Sequence, residues 1–270
     1  MLSLFTKAIL PHQLKKESLN KPKVSIITIC FNSGKTIEDT LVSVRNQDYP
    51  NIEHVIIDGL SKDNTLEVVA RNQHPGIVLL SEKDHGLYDA LNKGFQLCTG
   101  DIIGVLHSDD YLAGNSVISS LVAMFEQHPE VEAVSTSVNI YKPERPEKPY
   151  RVYDATNFKT WQFRIGIQPP HPGFYIKRSV FQKVGFFNSS YKISGDFDWL
   201  YKVIIEEKTP VYYTDFVVVS MRDGGVSSSG FESKKLMNRE NLRVLKSHGV
   251  YSNKFLIYLK YFWKVFQLRF

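Results

Sequence analysis

The sequence predicts an α/β fold in which a mostly parallel β-sheet is flanked by helices. Three observations lead to this prediction. From residue 23 to residue 141, short apolar runs alternate with longer segments of helical periodicity, which is the pattern of consecutive βαβ units. The 270 residues are 43% hydrophobic and 23% charged, as in a globular protein with a sizeable core. Polar clusters follow several of the apolar runs, at the strand ends where such sheets bind ligands.

The first predicted strand is VSIITI, residues 24–29, whose uninterrupted apolar run is typical of a strand covered on both faces. The helix TIEDTLVSVRNQ follows, with Thr36 as the expected cap and an apolar stripe on one face. The later strands, in order, are IEHVIID, IVLLS, DIIGVLH and VEAVSTSVNIY. The intervening helices are a short one near 65–72, then LYDALNKGFQLC, which Gly100 closes, and NSVISSLVAMFEQH, which Asn115 caps.

The chain changes character after Tyr141. Residues 142–149, KPERPEKP, are too rich in proline for a helix or a central strand, and they predict an exposed loop. The segment up to about residue 230 mixes strands with one helix at 196–206. A glycine- and serine-rich turn that begins at Gly224 then leads into a final basic helix. No internal repeat is found.

The net charge of +5 is unevenly distributed along the chain. Residues 234–270 hold nine lysines and arginines against one acid, a net charge of +8, which leaves −3 on residues 1–233. This distribution indicates an interaction tail on a mildly acidic body, and it argues against a nucleic-acid-binding domain.

Other features bear on where the protein acts. Two cysteines, Cys30 and Cys98, offer neither a metal-binding spacing nor a disulfide framework, so a reducing compartment is expected. No stretch has eighteen uncharged apolar residues, and the first twenty residues lack the features of a secretory signal. A cytoplasmic protein is therefore predicted.

Carboxylates stand at the ends of three predicted strands. Asp58 ends the second strand, Asp84 follows the third, and Asp109 and Asp110 follow the fourth. These side chains are expected to gather at one edge of the sheet. Adjacent carboxylates repel each other unless a cation or a set of donors compensates them. For Ser108-Asp109-Asp110 in isolation, the alternative is a solvated turn with an aspartate cap.

Four sequence blocks follow the strands in place of the common nucleotide-binding motifs. Neither G-x-G-x-x-G nor G-x-x-x-x-G-K-[ST] is found, which weakens the dinucleotide and P-loop interpretations. The blocks are CFNSGKT, IIDGLSKDNT, SEKDHGLYDALNKG and HSDD. In this order and spacing they resemble the inverting family 2 glycosyltransferases of the GT-A fold, close to those that build bacterial exopolysaccharide, O-antigen, colanic acid or capsule. The resemblance covers about residues 23–225.

The resemblance implies a domain organisation and a reaction. Residues 1–22 would be an N-terminal extension, and residues 23–230 the GT-A domain. That domain would have a nucleotide-binding half at about 23–138 and an acceptor half at about 139–230. Basic amphipathic helices would occupy residues 231–270. The implied reaction is of the hexosyltransferase type, from a UDP- or GDP-sugar to a hydroxyl of a lipid-linked glycan.

The resemblance also implies a divalent cation, Mn²⁺ or Mg²⁺, on the diphosphate of the donor. Such hard cations prefer carboxylate oxygens. In the family the carboxylates after the fourth strand form the so-called DXD element, and SDD occupies that place here. Asp110 is expected to bind the metal, and Asp109 the sugar or ribose hydroxyls. Ser108, in the place of the first aspartate of many relatives, is grouped with the nucleotide-sugar contacts.

The first two strand ends are expected to bind the nucleotide. Asp58 matches the family carboxylate that hydrogen-bonds the base, and Thr28 and Asn32 stand where the first turn meets the nucleotide. The alternative for Thr28 is a satisfied β-branched core residue.

The third block resembles the sugar-nucleotide contact region. Asp84 and Gly86 belong to it, and the glycine permits close approach of the backbone. Asp89 and Asn92, three residues apart on the next helix, are assigned to the same region; helix capping and an internal hydrogen bond are the alternative. Further candidates for phosphate contact are Lys83, His107 and Arg222.

An inverting transfer needs a base that takes the proton from the acceptor hydroxyl. The family places an aspartate at the start of a helix beyond the sheet, and SGDFDWLYKV offers Asp196, with Asp198 as second choice. The alternative for Asp196 is a helix cap. His171, held between prolines in QPPHPGFYIKR, and the aromatic Trp199 are expected to contact the acceptor.

The tail NKFLIYLKYFWKVFQLRF predicts an amphipathic helix with Lys260, Lys264 and Gln267 on one face. Such a helix can lie in the headgroup region of an anionic membrane, with its apolar side down and its lysines outward. The expected location is then peripheral, on the cytoplasmic face of the inner membrane. Packing of the same helix on the domain is the alternative.

Two other functions compete with the transferase. A sugar-phosphate nucleotidyltransferase has a similar sheet, but it relies on a glycine-rich first loop with several basic residues, and CFNSGKT offers only Lys35. A non-catalytic carbohydrate-binding protein with the same fold is the other alternative.

Overall fold

The computed structural model describes residues 21–265, apart from residues 143, 145, 146 and 225–229, and it confirms the predicted α/β fold. The predicted extension is therefore described only from Lys21 onward, and most of the glycine- and serine-rich turn lies outside the described residues. The strands are β1 (Val24–Cys30), β2 (Ile52–Asp58), β3 (Ile77–Ser81), β4 (Ile102–Val105), β5 (Tyr111–Leu112), β6 (Ala133–Tyr141), β7 (Arg151–Tyr153), β8 (Phe174–Lys177) and β9 (Val211–Arg222).

One sheet of mixed direction runs through the described residues, in the order β3-β2-β1-β4-β8-β6-β9-β5, with β7 beside β6. The first four strands pair in parallel, as the βαβ pattern predicts. The later strands add antiparallel pairs, because β8 lies antiparallel between β4 and β6, while β6 and β9 are parallel. The parallel part of the sheet is thus its N-terminal half.

The helices are α1 (Ile37–Arg45), α2 (Thr65–Arg71), α3 (Leu87–Leu97), α4 (Val117–Gln127), α5 (Arg178–Val184), α6 (Gly195–Tyr201), α7 (Gly230–Ser247) and α8 (Lys254–Val265). A π-helical turn, Lys202–Glu206, continues α6, so the predicted helix at 196–206 is present. Three short 3₁₀ segments precede β8: Ala155–Asn157, Thr160–Ile165 and His171–Gly173. None of the helices within the described ranges combines the length and the apolar character needed to cross a membrane.

Both faces of the central strands β1, β2 and β4 are buried, and neighbouring side chains of each strand point to opposite sides. The edge strand β3 is more exposed, with Val78 and Leu79 partly in solvent. Ile27 packs into the cluster formed with α3, α6 and the C-terminal helices, whereas the adjacent Ile26 packs into the cluster formed with α4. A third cluster joins Leu41 of α1 and Val68 of α2 to Ile56. Each fully buried aliphatic side chain stabilises the folded state by about 1.5–3 kcal/mol. Burial on both faces therefore explains the uninterrupted apolar sequence of the central strands.

The C-terminal helices pack on the sheet domain. Val244 and Leu245 of α7 and Ile257 of α8 are fully buried in the larger cluster. The buried carboxylate of Glu240 accepts hydrogen bonds from three consecutive backbone N–H groups, those of Lys192, Ile193 and Ser194, at 2.9, 2.9 and 3.0 Å. The loop before α6 is therefore held by α7.

Candidate functional site

A cleft of about 1070 Å³ opens at the edge where the parallel strands end. In-register pairing brings these ends together: Cys30 lies beside Asp58, Asp58 beside Ser81, and Ile27 beside Val105. The loops after β1, β3 and β4 line the cleft together with the first turns of α3 and α6 and the end of β9. Eight of the predicted site residues line it: Asn32, Asp84, Gly86, Ser108, Asp109, Asp110, His171 and Asp196.

The loop after β4 is hydrogen-bonded to α1 and to the end of β9. Thr40 of α1 donates its hydroxyl to the Asp110 carbonyl at 2.6 Å. The backbone N–H of Arg222, the last residue of β9, donates to Asp110 Oδ1 at 3.1 Å, and its guanidinium donates to the Asp109 carbonyl at 2.9 Å. The same guanidinium pairs with Asp39 of α1. Arg222 therefore fixes the position of the two adjacent carboxylates.

The electrostatics of Asp110 distinguish this loop from a solvated turn. Asp110 is only 2% exposed, and burial, followed by the neighbouring Asp109, raises its pKa well above the usual range. The backbone N–H of Arg222 and its positive charge offset part of this effect. A carboxylate in such surroundings is stabilised by a cation.

The residues of this loop fit a divalent cation that shares its coordination with phosphate. Among the described residues, no group of three or more histidine, cysteine or acidic side chains could enclose a metal ion. Mg²⁺ typically takes one or two carboxylates and completes its coordination with phosphate oxygens and water. Asp109 and Asp110 could supply such a pair. The Ser108 hydroxyl, which also lines the cleft, lies 2.9 Å from that of Ser33.

Asp196 stands in the first turn of α6, half-buried at the wall of the cleft. Gln168 Nε2 donates to its Oδ2 at 2.5 Å, and the Tyr88 hydroxyl donates to its Oδ1 at 3.2 Å. A side chain at Gly195 would come within 2.7 Å of the Tyr88 ring, so the close contact between α6 and α3 requires glycine there. The carboxylate is thus held in one orientation.

Two histidines lie beside this carboxylate, with the ring centres of His107 and His171 6.2 Å apart. Burial is the main cause that lowers both pKa values, to about 4 for His171, although Asp196 opposes it in both. Both ring nitrogens of His171 are buried without a hydrogen-bond partner among the described residues. The low pKa favours the neutral imidazole, and His171 lines the cleft with both ring nitrogens turned inward.

The turns after β1 and β3 have unusual backbone geometry. Asn32 has a φ of 51°, and its side-chain oxygen accepts the Lys62 backbone N–H at 2.8 Å, which links the first two strand ends. Gly86 has a φ of 119° immediately before α3, in the region that favours glycine. Asp84 accepts the Gly86 N–H at 3.0 Å, so this carboxylate shapes the turn as well as lining the cleft.

The structure does not bring the remaining predicted residues into the cleft. Asp58 is fully buried, and its carboxylate accepts hydrogen bonds from the Ser61 hydroxyl at 2.5 Å and the Ser81 hydroxyl at 2.7 Å. Thr28 is also fully buried, and its hydroxyl lies 2.9 Å from His54 Nε2. Both side chains have internal partners, and their contact with the nucleotide stays a prediction.

The same holds for the predicted helix residues of the sugar region. The side-chain amide of Asn92 bonds to the backbone of Phe187. Its Nδ2 donates to the Phe187 carbonyl and its Oδ1 accepts the Phe187 N–H, both at 2.9 Å. Asp89 accepts the His85 backbone N–H at 2.9 Å and lies 3.7 Å from the Lys93 ammonium. These contacts are the capping and internal bonding that were the alternative for this pair.

The predicted alternatives around α6 are likewise buried elsewhere. Asp198 is 2% exposed, pairs with Lys202 at 2.8 Å and lies 2.9 Å from His248 Nε2. Trp199 donates its indole N–H to the Gly185 carbonyl at 2.8 Å and stacks on Phe187. Neither side chain is among those that line the cleft, and the base role of Asp198 and the acceptor role of Trp199 stay predictions.

Lys83 does not line the cleft, whereas His107 and Arg222 do. Residues that the sequence analysis did not identify also line it, including Tyr88 and Gln168, which orient Asp196. Their contacts join segments that are 28 and 108 residues apart along the chain. No local pattern signals such contacts, although Gln168 stands three residues before His171.

The buried pair of Thr28 and His54 leads to a pH prediction. Burial lowers the pKa of His54 to about 3, so below its unfolded value of about 6.5 the unfolded chain binds a proton that the folded protein does not. Stability is therefore complete above about pH 6.5 and falls as the pH falls. Between pH 7.0 and 5.0 the wild type should lose about 2 kcal/mol of unfolding free energy more than His54→Gln, measured by urea unfolding. Equal losses in both proteins would contradict this.

The comparisons with known proteins give one consistent result. A family model described as Glycosyl transferase family 2 matches residues 25–193. An uncharacterized glycosyltransferase of Mycobacterium tuberculosis is 30% identical over 187 residues, 68% of this chain and 70% of that protein. A glycosyltransferase of PGL/p-HBAD biosynthesis from Mycobacterium bovis is 25% identical over 221 residues, 81% of this chain and 84% of that protein.

Solved structures share the fold of this chain. Staphylococcus aureus TarS 1–349 superposes with a TM-score of 0.61 at 17% identity, over 83% of this chain and 65% of that one. The mannosyltransferase PcManGT from Pyrobaculum calidifontis, in complex with GDP-Man and Mn²⁺, superposes with a TM-score of 0.60 at 21% identity, over 86% and 68% of the two chains. This chain thus spans about two thirds of the length of these structures.

Proposed function

Since this chain belongs to glycosyl transferase family 2, we propose that it is an inverting enzyme that transfers a sugar from a UDP- or GDP-sugar to a hydroxyl of a lipid-linked glycan. That the chain is a glycosyltransferase of the GT-A fold follows from the family and its structural neighbours. The donor, the acceptor, the inversion and a role in bacterial surface polysaccharide synthesis are the proposal.

One observation carries the proposal: the paired carboxylates after β4 and the oriented carboxylate at the start of α6 line one cleft. A glycosyl transfer needs a site that binds the diphosphate leaving group and a base that accepts the proton of the acceptor hydroxyl. Asp109 and Asp110 supply the first, and Asp196 supplies the second. A bound Mn²⁺ or Mg²⁺ would neutralise charge on the departing diphosphate.

The reaction is a single displacement. The acceptor oxygen forms a bond to the anomeric carbon while the bond from that carbon to the diphosphate oxygen breaks. The hydroxyl proton passes to the Asp196 carboxylate, and the electron pair of the broken bond leaves with the nucleoside diphosphate. Gln168 and Tyr88 keep Asp196 oriented, and His171 forms part of the wall of the cleft beside the acceptor position.

The solved neighbours support a nucleotide-sugar donor. TarS 1–349 has been solved with UDP and with UDP-GlcNAc, and PcManGT with GDP-Man and Mn²⁺. Both uracil and guanine nucleotides are therefore candidates for this chain. The internal hydrogen bonds of Asp58 make that carboxylate a support for the base-binding turn in this proposal, and Asn32, Asp84 and Gly86 are the proposed contacts.

The exposed face of α8 supports contact with a membrane. Phe255, Tyr258, Leu259 and Phe262 are 40–73% exposed and occupy positions i, i+3, i+4 and i+7, which places them on one side of the helix. Lys260, predicted to point outward, is instead 1% exposed on the side that packs on the domain. An aromatic face of this kind suits the headgroup region of an anionic bilayer, at which a lipid-linked acceptor would be presented.

A donor screen tests the proposed function. We expect one UDP- or GDP-sugar with Mn²⁺ to raise the melting temperature by about 5 °C or more at 100 times its Kd, because a ligand of the folded state adds about 2.7 kcal/mol there. EDTA should abolish the shift, which serves as the control. No shift with any donor at millimolar concentration would contradict the proposal, as would turnover of a sugar 1-phosphate with a nucleoside triphosphate.

A further inference from the structure

A second cavity, of about 680 Å³, lies between the loop before α6 and the first turns of α7. Its volume falls within the range of small-molecule sites. We refer to it as the basic groove, which is lined by Ser190, Lys192, Glu232, Ser233, Lys235, Leu236, Arg239, Glu240 and Arg243.

The charges that line the basic groove are mostly positive. Four cations line it, against the two acids Glu232 and Glu240. Glu240 is buried, and its two oxygens are engaged by the three backbone N–H groups of the loop before α6. Glu232 is exposed and lies 3.8 Å from Lys235. Within the described part of the chain, Arg239, Arg243 and Lys192 form no ion pair with a carboxylate, so their charge is available to an anion.

One of the cations is held in place before any ligand arrives. The Arg243 guanidinium lies 4.8 Å from the centre of the Tyr191 ring, and its Nη2 donates to the Ser190 hydroxyl at 3.1 Å. A fixed guanidinium presents its remaining N–H donors in the fork that matches phosphate oxygens. The groove therefore contains one guanidinium oriented by Tyr191 and Ser190, beside three further exposed cations.

The basic groove adjoins the acceptor side of the catalytic cleft. Lys192 lines both cavities and stands four residues before Asp196. The backbone carbonyl of the next residue, Ile193, accepts a hydrogen bond from the Tyr88 hydroxyl, which it shares with Asp196 Oδ1. A molecule that places a hydroxyl at Asp196 can therefore extend along Lys192 into the groove.

From this geometry we infer that the basic groove binds a phosphate or diphosphate group, and that this group belongs to the acceptor. The assignment to the acceptor rests on the proposed function, whereas the binding of phosphate does not. The phosphate of a soluble or lipid-linked acceptor and the phosphate of a bilayer headgroup share the recognised chemistry.

Inorganic pyrophosphate, titrated calorimetrically in EDTA without donor, tests this inference. Lys235→Ala combined with Arg239→Ala should weaken binding by at least about tenfold, because two positively charged donors to the phosphate oxygens are lost. Both side chains are exposed, so the fold should be kept. The matched control, Arg71→Ala with Lys246→Ala, removes two exposed charges elsewhere and should bind as the wild type does. Arg243→Lys, which keeps the charge but loses the fork, should also weaken binding.

Sedimentation with phosphatidylcholine vesicles, with and without 30% phosphatidylglycerol, distinguishes the two sources of phosphate. Groove-dependent pyrophosphate binding supports a phosphate site. Sedimentation with anionic vesicles that the groove substitutions leave unchanged assigns that site to the acceptor, whereas sedimentation that they abolish assigns it to a headgroup and overturns the acceptor assignment. Pyrophosphate binding and sedimentation that are equal in the groove variant and the wild type would overturn the inference. The variant with both groove substitutions should keep its donor-induced stabilisation in Mn²⁺. The absence of donor binding would therefore contradict the proposed function, whereas unchanged pyrophosphate binding in the variant would contradict only the inference about the groove.

Discussion

Replacing Asp196 by asparagine should lower kcat by about 10³-fold while leaving donor binding unchanged. Asparagine keeps the shape of the side chain but cannot accept the proton of the acceptor hydroxyl, and general bases contribute about 10²–10⁴-fold to catalysis. The donor contacts of the loop after β4 remain. Release of nucleoside diphosphate in the presence of acceptor measures the first effect, and donor-induced thermal stabilisation measures the second.

Asp198→Asn is the matched control, since it makes the same change two residues further along α6. Asp198 is buried between Lys202 and His248, so its loss should destabilise the fold by about 3–5 kcal/mol, the usual effect of removing one partner of a buried ion pair. Turnover per folded molecule, measured below the melting temperature, should stay near the wild-type rate. A loss in Asp198→Asn equal to that in Asp196→Asn would rule out the assignment of the base.

Replacing Asp110 by asparagine should remove the metal-dependent stabilisation by donor and weaken donor affinity by at least about 100-fold in Mn²⁺. A carboxylate on a hard cation supplies several kcal/mol that an amide does not replace. The ligand-free protein should be at least as stable as the wild type, because the asparagine oxygen can still accept the Arg222 N–H and the buried charge is gone. Thermal unfolding with and without donor measures both.

The control for this prediction is Asp223→Asn, another carboxylate that lines the same cleft. It follows Arg222 and accepts the Gly224 backbone N–H, which an amide oxygen can also accept. Donor affinity in Mn²⁺ should therefore change by less than about tenfold. If Asp223→Asn lost as much affinity as Asp110→Asn, general charge in the cleft, and not metal binding at Asp110, would explain both.

The sequence predicted the strand ends well, since a parallel sheet necessarily brings them to one edge. It could not determine which side chains turn into the cleft. Asp58 lies at the correct edge, but Ser61 and Ser81 satisfy its carboxylate internally. Asp196 and Asp198 are two residues apart, which is about 200° around a helix, so only one of them can face the cleft.

The C-terminal half was harder to predict for a different physical reason. The antiparallel places of β8 and β9 depend on pairing between distant segments, which local periodicity does not encode. The tail helix was predicted as amphipathic, yet its lysine-bearing face was expected in solvent. Lys260 is instead buried, with its ammonium 5.5 Å from the centre of the Tyr261 ring, and aromatic side chains take the exposed side.

The attachment of the β4 loop to Arg222 has a consequence for biosynthesis. The strand β5, which follows the carboxylate pair, hydrogen-bonds to β9, more than one hundred residues later. A nascent chain that has left the ribosome only as far as residue 193, the limit of the family match, lacks both Arg222 and Asp196. Such an intermediate has the strands of the nucleotide half but no stable carboxylate pair, so the ability to bind donor should appear late, after β9 has been synthesised.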